Sequence, residues 1–335
     1  MQAKAELVTD LVLEGGGVKG IGLVGAMLPM AEAGYAFPRV AGTSAGAIVG
    51  SVLAALQQYG DPVSRLADIV RTLDYTRFRD RGFPGKYLGP LAFLADGVAV
   101  LFEDGAYEGD YLEDWVSGVL ADLDVRTFGD LRTDDPGDDG GIHHRYSLAV
   151  TVSDISRKRL VKLPWDYRDY GLDPDEQKVS AAVRASASIP FFFEPVTLKG
   201  SRGTSTLVDG GLLSNFPISI FDRLDENPPR WPTLGIRLDA FGIESKEPVE
   251  PVRGPVSMGL AVVQTSIEGS QAEHVLDPCN LARSVNVETG EIGAIDFDIT
   301  EEQQNMLLAA GRRAGERFLT TWDYQRWLRE CRDVP

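Results

Sequence analysis

Histidine is scarce in this chain: 335 residues include only His143, His144 and His274. The first two sit beside the acidic loop RTDDPGDDGG at 132–141, and the third follows EGSQAE. None stands at the end of an apolar strand, so a Ser-His-Asp arrangement is disfavoured. Cysteine is scarcer still. Cys279 and Cys331 allow one disulfide but no framework of them, and a reduced, cytoplasmic setting is the default expectation. Positive charge is short as well, with 33 Lys and Arg against 50 Asp and Glu and a net charge of −17. That argues against a nucleic-acid partner and against purely electrostatic adhesion to an anionic membrane. Lipid contact would need an apolar surface or a local basic patch. The acids are scattered and show no calcium-loop spacing, so no metal is expected. The opening MQAKAELVTD has early acids and no apolar h-region, and does not read as a secretory signal. Val40 to Gly60 is a run of 21 uncharged residues. Gly42, Thr43, Ser44, Gly46 and Gly50 interrupt it, so it reads as a strand, a turn and a buried helix rather than a bilayer span.

What the chain does contain is an ordinary globular balance, with 43% hydrophobic and 25% charged residues. Residues 11–13 form a short strand without polar alternation, as expected where both faces are covered. A helix follows over 20–33, stopped by Gly34, then a second strand at 40–41 and a helix over 45–56. This β-α-β-α opening predicts an α/β fold around a parallel sheet. Further on, the pattern predicts a helix over 111–123 capped by Asp110 and a hairpin from YSLAVTVSD and KRLVKLP. It also predicts a helix from Asp173-Pro174 to about Ser186, a buried strand in TLGIRL, and a helical tail over 301–332.

Two glycine-rich junctions carry chemistry. In LEGGGVKG, residues 13–20, Gly15, Gly17 and Gly20 fit the dinucleotide spacing G-x-G-x-x-G. The same bare backbone could free amides to hold an oxyanion. A dinucleotide site needs an acid at the end of the next strand. That place is taken instead by GTSAG, with Gly42, Ser44 and Gly46 in G-x-S-x-G spacing. The pattern fits a nucleophile elbow, in which a serine sits at a strained strand-to-helix turn; it also fits a small-residue turn or a plain helix cap. Serine needs a base. Asp209 in TLVDGGLLSN ends an apolar strand and would serve if burial raised its pKa, although Asp-Gly is also a common tight turn.

GGGVKG, GTSAG and DGG, in that order, resemble the three marks of the patatin-like phospholipase family. ASASIPFFFEPV (185–196), LVDGGLLSNFPI (207–218) and IDFDITEEQQNMLLAAGRRAGERFL near the end are also similar to members of it. The resemblance spans about 8–320. It implies a three-layer α/β fold, a central mostly parallel sheet with helices on both faces. It implies lipid acyl hydrolysis, of phospholipase A or lysophospholipase type, by a dyad of Ser44 and Asp209 without histidine or cofactor. Gly15, Gly16, Gly17 and Val18 would form the oxyanion loop. Gly20, Gly42, Gly46, Gly210 and Gly211 would shape the turns. Lys19 would face the head group where relatives commonly carry arginine, losing the bidentate fork. The substrate would be a membrane phospholipid or other lipid ester, met by peripheral contact from the cytoplasm. The other reading is a catalytically silent lipid-binding or scaffold protein.

The expected organisation is one domain over 8–320 and a helical tail over 321–335. Residues 75–105 form a candidate lid insertion. Its apolar part, Tyr87 to Phe102, reads either as core packing or as a lid in which Leu91, Phe93, Leu94 and Val98 would cover the Ser44 pocket.

Overall fold

The computed structural model describes residues 7–78, 109–133, 145–223, 229–239 and 277–332, with residues 252, 254, 258–259, 261–263 and 265–266 between them. The candidate lid at 87–102 and all three histidines lie outside the described residues. A two-stranded parallel sheet of β1 (Leu7–Val8) and β3 (Tyr35–Ala36) flanks the main one. The main sheet has eight strands in the order β10-β9-β2-β4-β5-β8-β7, with β6 also on β5. These are β2 (Asp10–Leu13), β4 (Val40–Gly42), β5 (Leu148–Asp154), β6 (Arg159–Leu163), β7 (Val196–Gly200), β8 (Gly203–Asp209), β9 (Thr233–Asp239) and β10 (Ser284–Glu288). The pairs from β10 to β5 are parallel; those of β5 with β6 and β8, and of β7 with β8, are antiparallel. The fold is therefore α/β with a mostly parallel central sheet.

The early helices follow the apolar pattern. α1 (Ile21–Ala33) ends at Gly34, whose φ of 99° is the left-handed cap expected there. α2 (Ala45–Gln58) is almost wholly buried and packs against β2, β4 and β5, so the uncharged run is a core element. Among the described residues no helix is long and apolar enough to cross a membrane. α3 (Arg65–Val70) and α4 (Asp110–Asp122) follow. Asp110 lies inside the first turn of α4, and Gly109 holds the capping place.

The helix expected from Asp173 to Ser186 is two elements, a 3-10 turn at Pro174–Glu176 and α5 (Val179–Ser186). Long-range pairing breaks it. Phe128 N–H donates to Gln177 O at 3.0 Å, and Val179 N–H to Arg126 O at 3.1 Å. Gln177 and Lys178 are thereby held extended.

After the short α6 (Pro278–Ala282), the tail is also two helices, α7 (Glu301–Thr321) and α8 (Tyr324–Cys331). Trp322 leaves the helix to stack on Phe318 at 5.5 Å, and Asp323 caps the next helix through Arg326 N at 3.0 Å. The default expectation of reduced cysteines is corrected here, because Cys279 and Cys331 are joined in a disulfide.

One feature of the sheet sets up the site. β6 pairs with β5 from Val150 to Asp154 and so occupies one edge of it. β4 pairs with Leu148 to Val150 and β8 with Val152 to Asp154, so these two strands share the other edge, end to end. Gly42 stands opposite Val150 and Asp209 opposite Val152. The carboxyl ends of β4 and β8 therefore point at each other, two residues apart along β5, or about 7 Å.

Candidate active site

Ser44 stands at the turn between β4 and α2 with φ 52° and ψ −119°, a conformation costly for a residue with a Cβ. The glycines around it make the turn sterically feasible. A methyl group on Gly42 would stand 2.2 Å from Gly46 O, and one on Gly46 would stand 2.2 Å from Leu13 O. The Ser44 hydroxyl makes no capping bond to α2, so the plain helix-cap reading fails. Its backbone N–H donates instead to Ser186 Oγ at 2.9 Å, and Ser186 Oγ donates to Thr151 O at 2.7 Å.

Asp209 ends β8 and is 2% exposed. Its Oδ1 accepts Gly211 N–H at 2.7 Å, so the tight-turn reading of Asp-Gly is true of one oxygen. Oδ2 is buried with no hydrogen-bond partner. Burial pushes the carboxyl up from 3.8 to about 7, opposed by the neighbouring Ser44 side chain and then by the Gly211 amide. The Ser44 side chain thus lies near enough to favour the ionised carboxylate, while Oδ2 itself has no hydrogen-bond partner.

The loop after β2 closes the third side. A Cβ on Gly15 would lie 3.2 Å from Ser44 Cβ. Gly15 N–H donates to Asn215 O, and Val18 N–H to Ala294 O. Of the four residues expected to form the oxyanion loop, these two already have their amides bonded within the fold. Gly16 and Gly17 N–H meet no acceptor among the described residues. Lys19 is half-buried, with Cε 3.5 Å from where a Gly16 Cβ would stand. Gly20 faces Ala45 of α2, and Gly210 packs on Thr151.

Sequence reading missed two buried polar residues that hold these parts together. Asn215 Nδ2 donates to Gly15 O at 3.1 Å, tying the loop after β2 to the turn after β8. Ser186 fixes the backbone of Ser44. Both lie within segments similar to the family, but neither carries a pattern of its own.

A comparison with protein-family models matches the patatin-like phospholipase model to residues 11–222. The chain belongs to the patatin-like phospholipase family. A relative in Bacillus subtilis (strain 168), the protein YqhO, is 35% identical over 94% of this chain and 99% of its own length. Patatin-like protein 1 of Arabidopsis thaliana is 29% identical over 63% of this chain and 50% of its own. The solved structure of VipD from Legionella pneumophila matches 95% of this chain and 67% of its own, with a TM-score of 0.53 and 20% identity. That likeness shows a shared fold. Membership of the patatin-like family supports lipid acyl hydrolysis as the general activity.

Proposed function

We propose that the chain is a serine acyl hydrolase of lipid esters, of phospholipase A or lysophospholipase type, working by a Ser44–Asp209 dyad. Ser44 Oγ attacks the ester carbonyl while Asp209 Oδ2 takes its proton. Gly16 and Gly17 amides receive the oxyanion, and Lys19 faces the head group. The alcohol leaves with the proton. Water, deprotonated by Asp209, then cleaves the acyl-enzyme and frees Ser44. The observation that carries this reading is Asp209 Oδ2, a buried, unpartnered oxygen beside Ser44 on a carboxyl raised to about 7. A base works best with a pKa near the working pH.

The test is acyl release from phospholipid vesicles and from a short soluble ester. Ser44→Ala and Asp209→Asn should each remove nearly all turnover and leave the melting curve cooperative. Changing His143, His144 and His274 together to Gln should leave substantial activity. A folded but inactive triple variant would sink the histidine-free mechanism. A folded wild-type chain that binds lipid without turnover would favour the silent lipid-binding reading.

A further inference from the structure

The site edge of the sheet is not level. β5 continues past Asp209 and returns as β6, and β7 returns as β8 from still further out. Val152 opposes Asp209, so the β5–β6 turn at 155–158 begins three residues beyond it, about 10 Å. The β7–β8 turn at 201–202 lies beyond Gly203, more than six residues from Asp209 along β8, about 20 Å. The first turn packs on β8 and the second on the segment at Trp165–Tyr170. Ile155 N–H donates to Thr206 O at 3.1 Å, Thr206 N–H to Ser156 Oγ at 2.9 Å, and Ser201 N–H to Tyr170 O at 2.7 Å. The Arg157 guanidinium lies over the Tyr170 ring at 3.9 Å.

This projecting edge has the wrong sign for the molecule that carries it. The segments that build it, residues 154–170 and 196–206, hold seven basic and three acidic residues in a chain of net charge −17, and of these only Lys162, opposite Thr151, pairs in the sheet behind the level of Asp209. The acids are largely engaged. Asp154 is buried and accepts from Tyr170 OH and Arg157 N, Asp169 pairs with Arg159 at 2.8 Å, and Asp166 accepts Lys162 N. Lys158, Arg168, Lys199 and Arg202 are exposed, and none has an ion-pair partner among the described residues. Two large apolar side chains are exposed nearby, Ile155 in the first turn at 38% and Leu213, just after Asp209 and nearer the site, at 44%.

We propose that this edge docks on an anionic bilayer, with Lys158, Arg168, Lys199 and Arg202 among the headgroups and Ile155 in the interface. Docking would set the Ser44 turn over the lipid. The proposal rests on the lipid-hydrolase reading for its purpose but not for its test. Basic side chains near an anionic surface each strengthen binding about fivefold, so a patch of four outweighs a distant negative charge that salt screens within about 10 Å.

The experiment is co-sedimentation of the Ser44→Ala chain, which cannot consume the vesicles. The vesicles are phosphatidylcholine alone or phosphatidylcholine with about one-third phosphatidylglycerol, at low and high salt. Binding should require phosphatidylglycerol and weaken with salt. Lys158→Glu, Lys199→Glu and Arg202→Glu together should lower it about a hundredfold or more. A milder variant, Lys158→Gln with Arg202→Gln, should lower it about twenty-five-fold and covers any misfolding of the first. Equal binding to phosphatidylcholine alone, or undiminished binding by both folded variants, would overturn the proposal. Hydrolysis of a short soluble ester by the same substitutions on the Ser44 background should stay at the parent's level. An inactive parent would count against the hydrolase reading and leave the vesicle result to stand or fall alone.

Discussion

In the proposed mechanism Asp209 couples the chemistry of this protein to its stability. A carboxyl raised from 3.8 to about 7 by burial binds its proton more tightly folded than unfolded. Between those values the folded chain carries the extra proton, so stability falls as pH climbs through the window, and the full cost is present above it. The cost of about three pH units is on the order of 4 kcal/mol. Ester hydrolysis should therefore rise with pH through about 7 as the base ionises. Asp209→Asn should raise the melting temperature at pH 8 and change it little near pH 4. A pH-independent rate between 5 and 8, with no stabilisation at pH 8, would contradict that coupling. Ser186 is a positioning residue, buried and bonded to both Ser44 N and Thr151 O. Ser186→Ala leaves two buried groups unpaired, at roughly 1 to 3 kcal/mol each. It should lower kcat on a soluble ester by tenfold or more, since small displacements of a reacting group are expensive, and leave KM near its original value. Ser186→Thr, which keeps the hydroxyl, should recover part of the loss. A stability loss with unchanged kcat would reduce Ser186 to a packing residue.

The elements show what local pattern reveals and what it hides. Ser44 and Asp209 were legible because a strained turn forces glycine on its neighbours, and those glycines leave a spacing in the sequence. Ser186 and Asn215 were not, because their partners Ser44 and Gly15 lie 142 and 200 residues away. The same distance effect broke the helix expected after Asp173, where Gln177 and Val179 bond to the segment around Arg126 and Phe128. The pairing of α1 with α7 was equally hidden. A methyl group on Gly311 would stand 2.1 Å from Gly22 O and 2.8 Å from Ala26 N, so the two helices meet backbone to backbone. On an open helix face, Gly311→Ala would stabilise by about 1 kcal/mol. Here overpacking should destabilise by about 1 to 3 kcal/mol, a sign that a thermal melt distinguishes. A raised melting temperature would mean that the helices do not pack this closely.

At the scale of the molecule, a parallel half and an antiparallel half meet along one edge of β5. That meeting brings a serine from β4 and a carboxylate from β8 face to face. The order of motifs in the sequence was legible, but this end-to-end arrangement was not, since it depends on which strand edge each element takes. The proposed function requires Ser44 to be a nucleophile activated by that geometry. Treating the purified chain with a fluorophosphonate and mapping the adduct by mass spectrometry tests this most directly. One adduct is expected, on Ser44, lost in Ser44→Ala, much slowed in Asp209→Asn and retained when the three histidines are Gln. A folded chain that takes no label, or takes it on another residue, would contradict it.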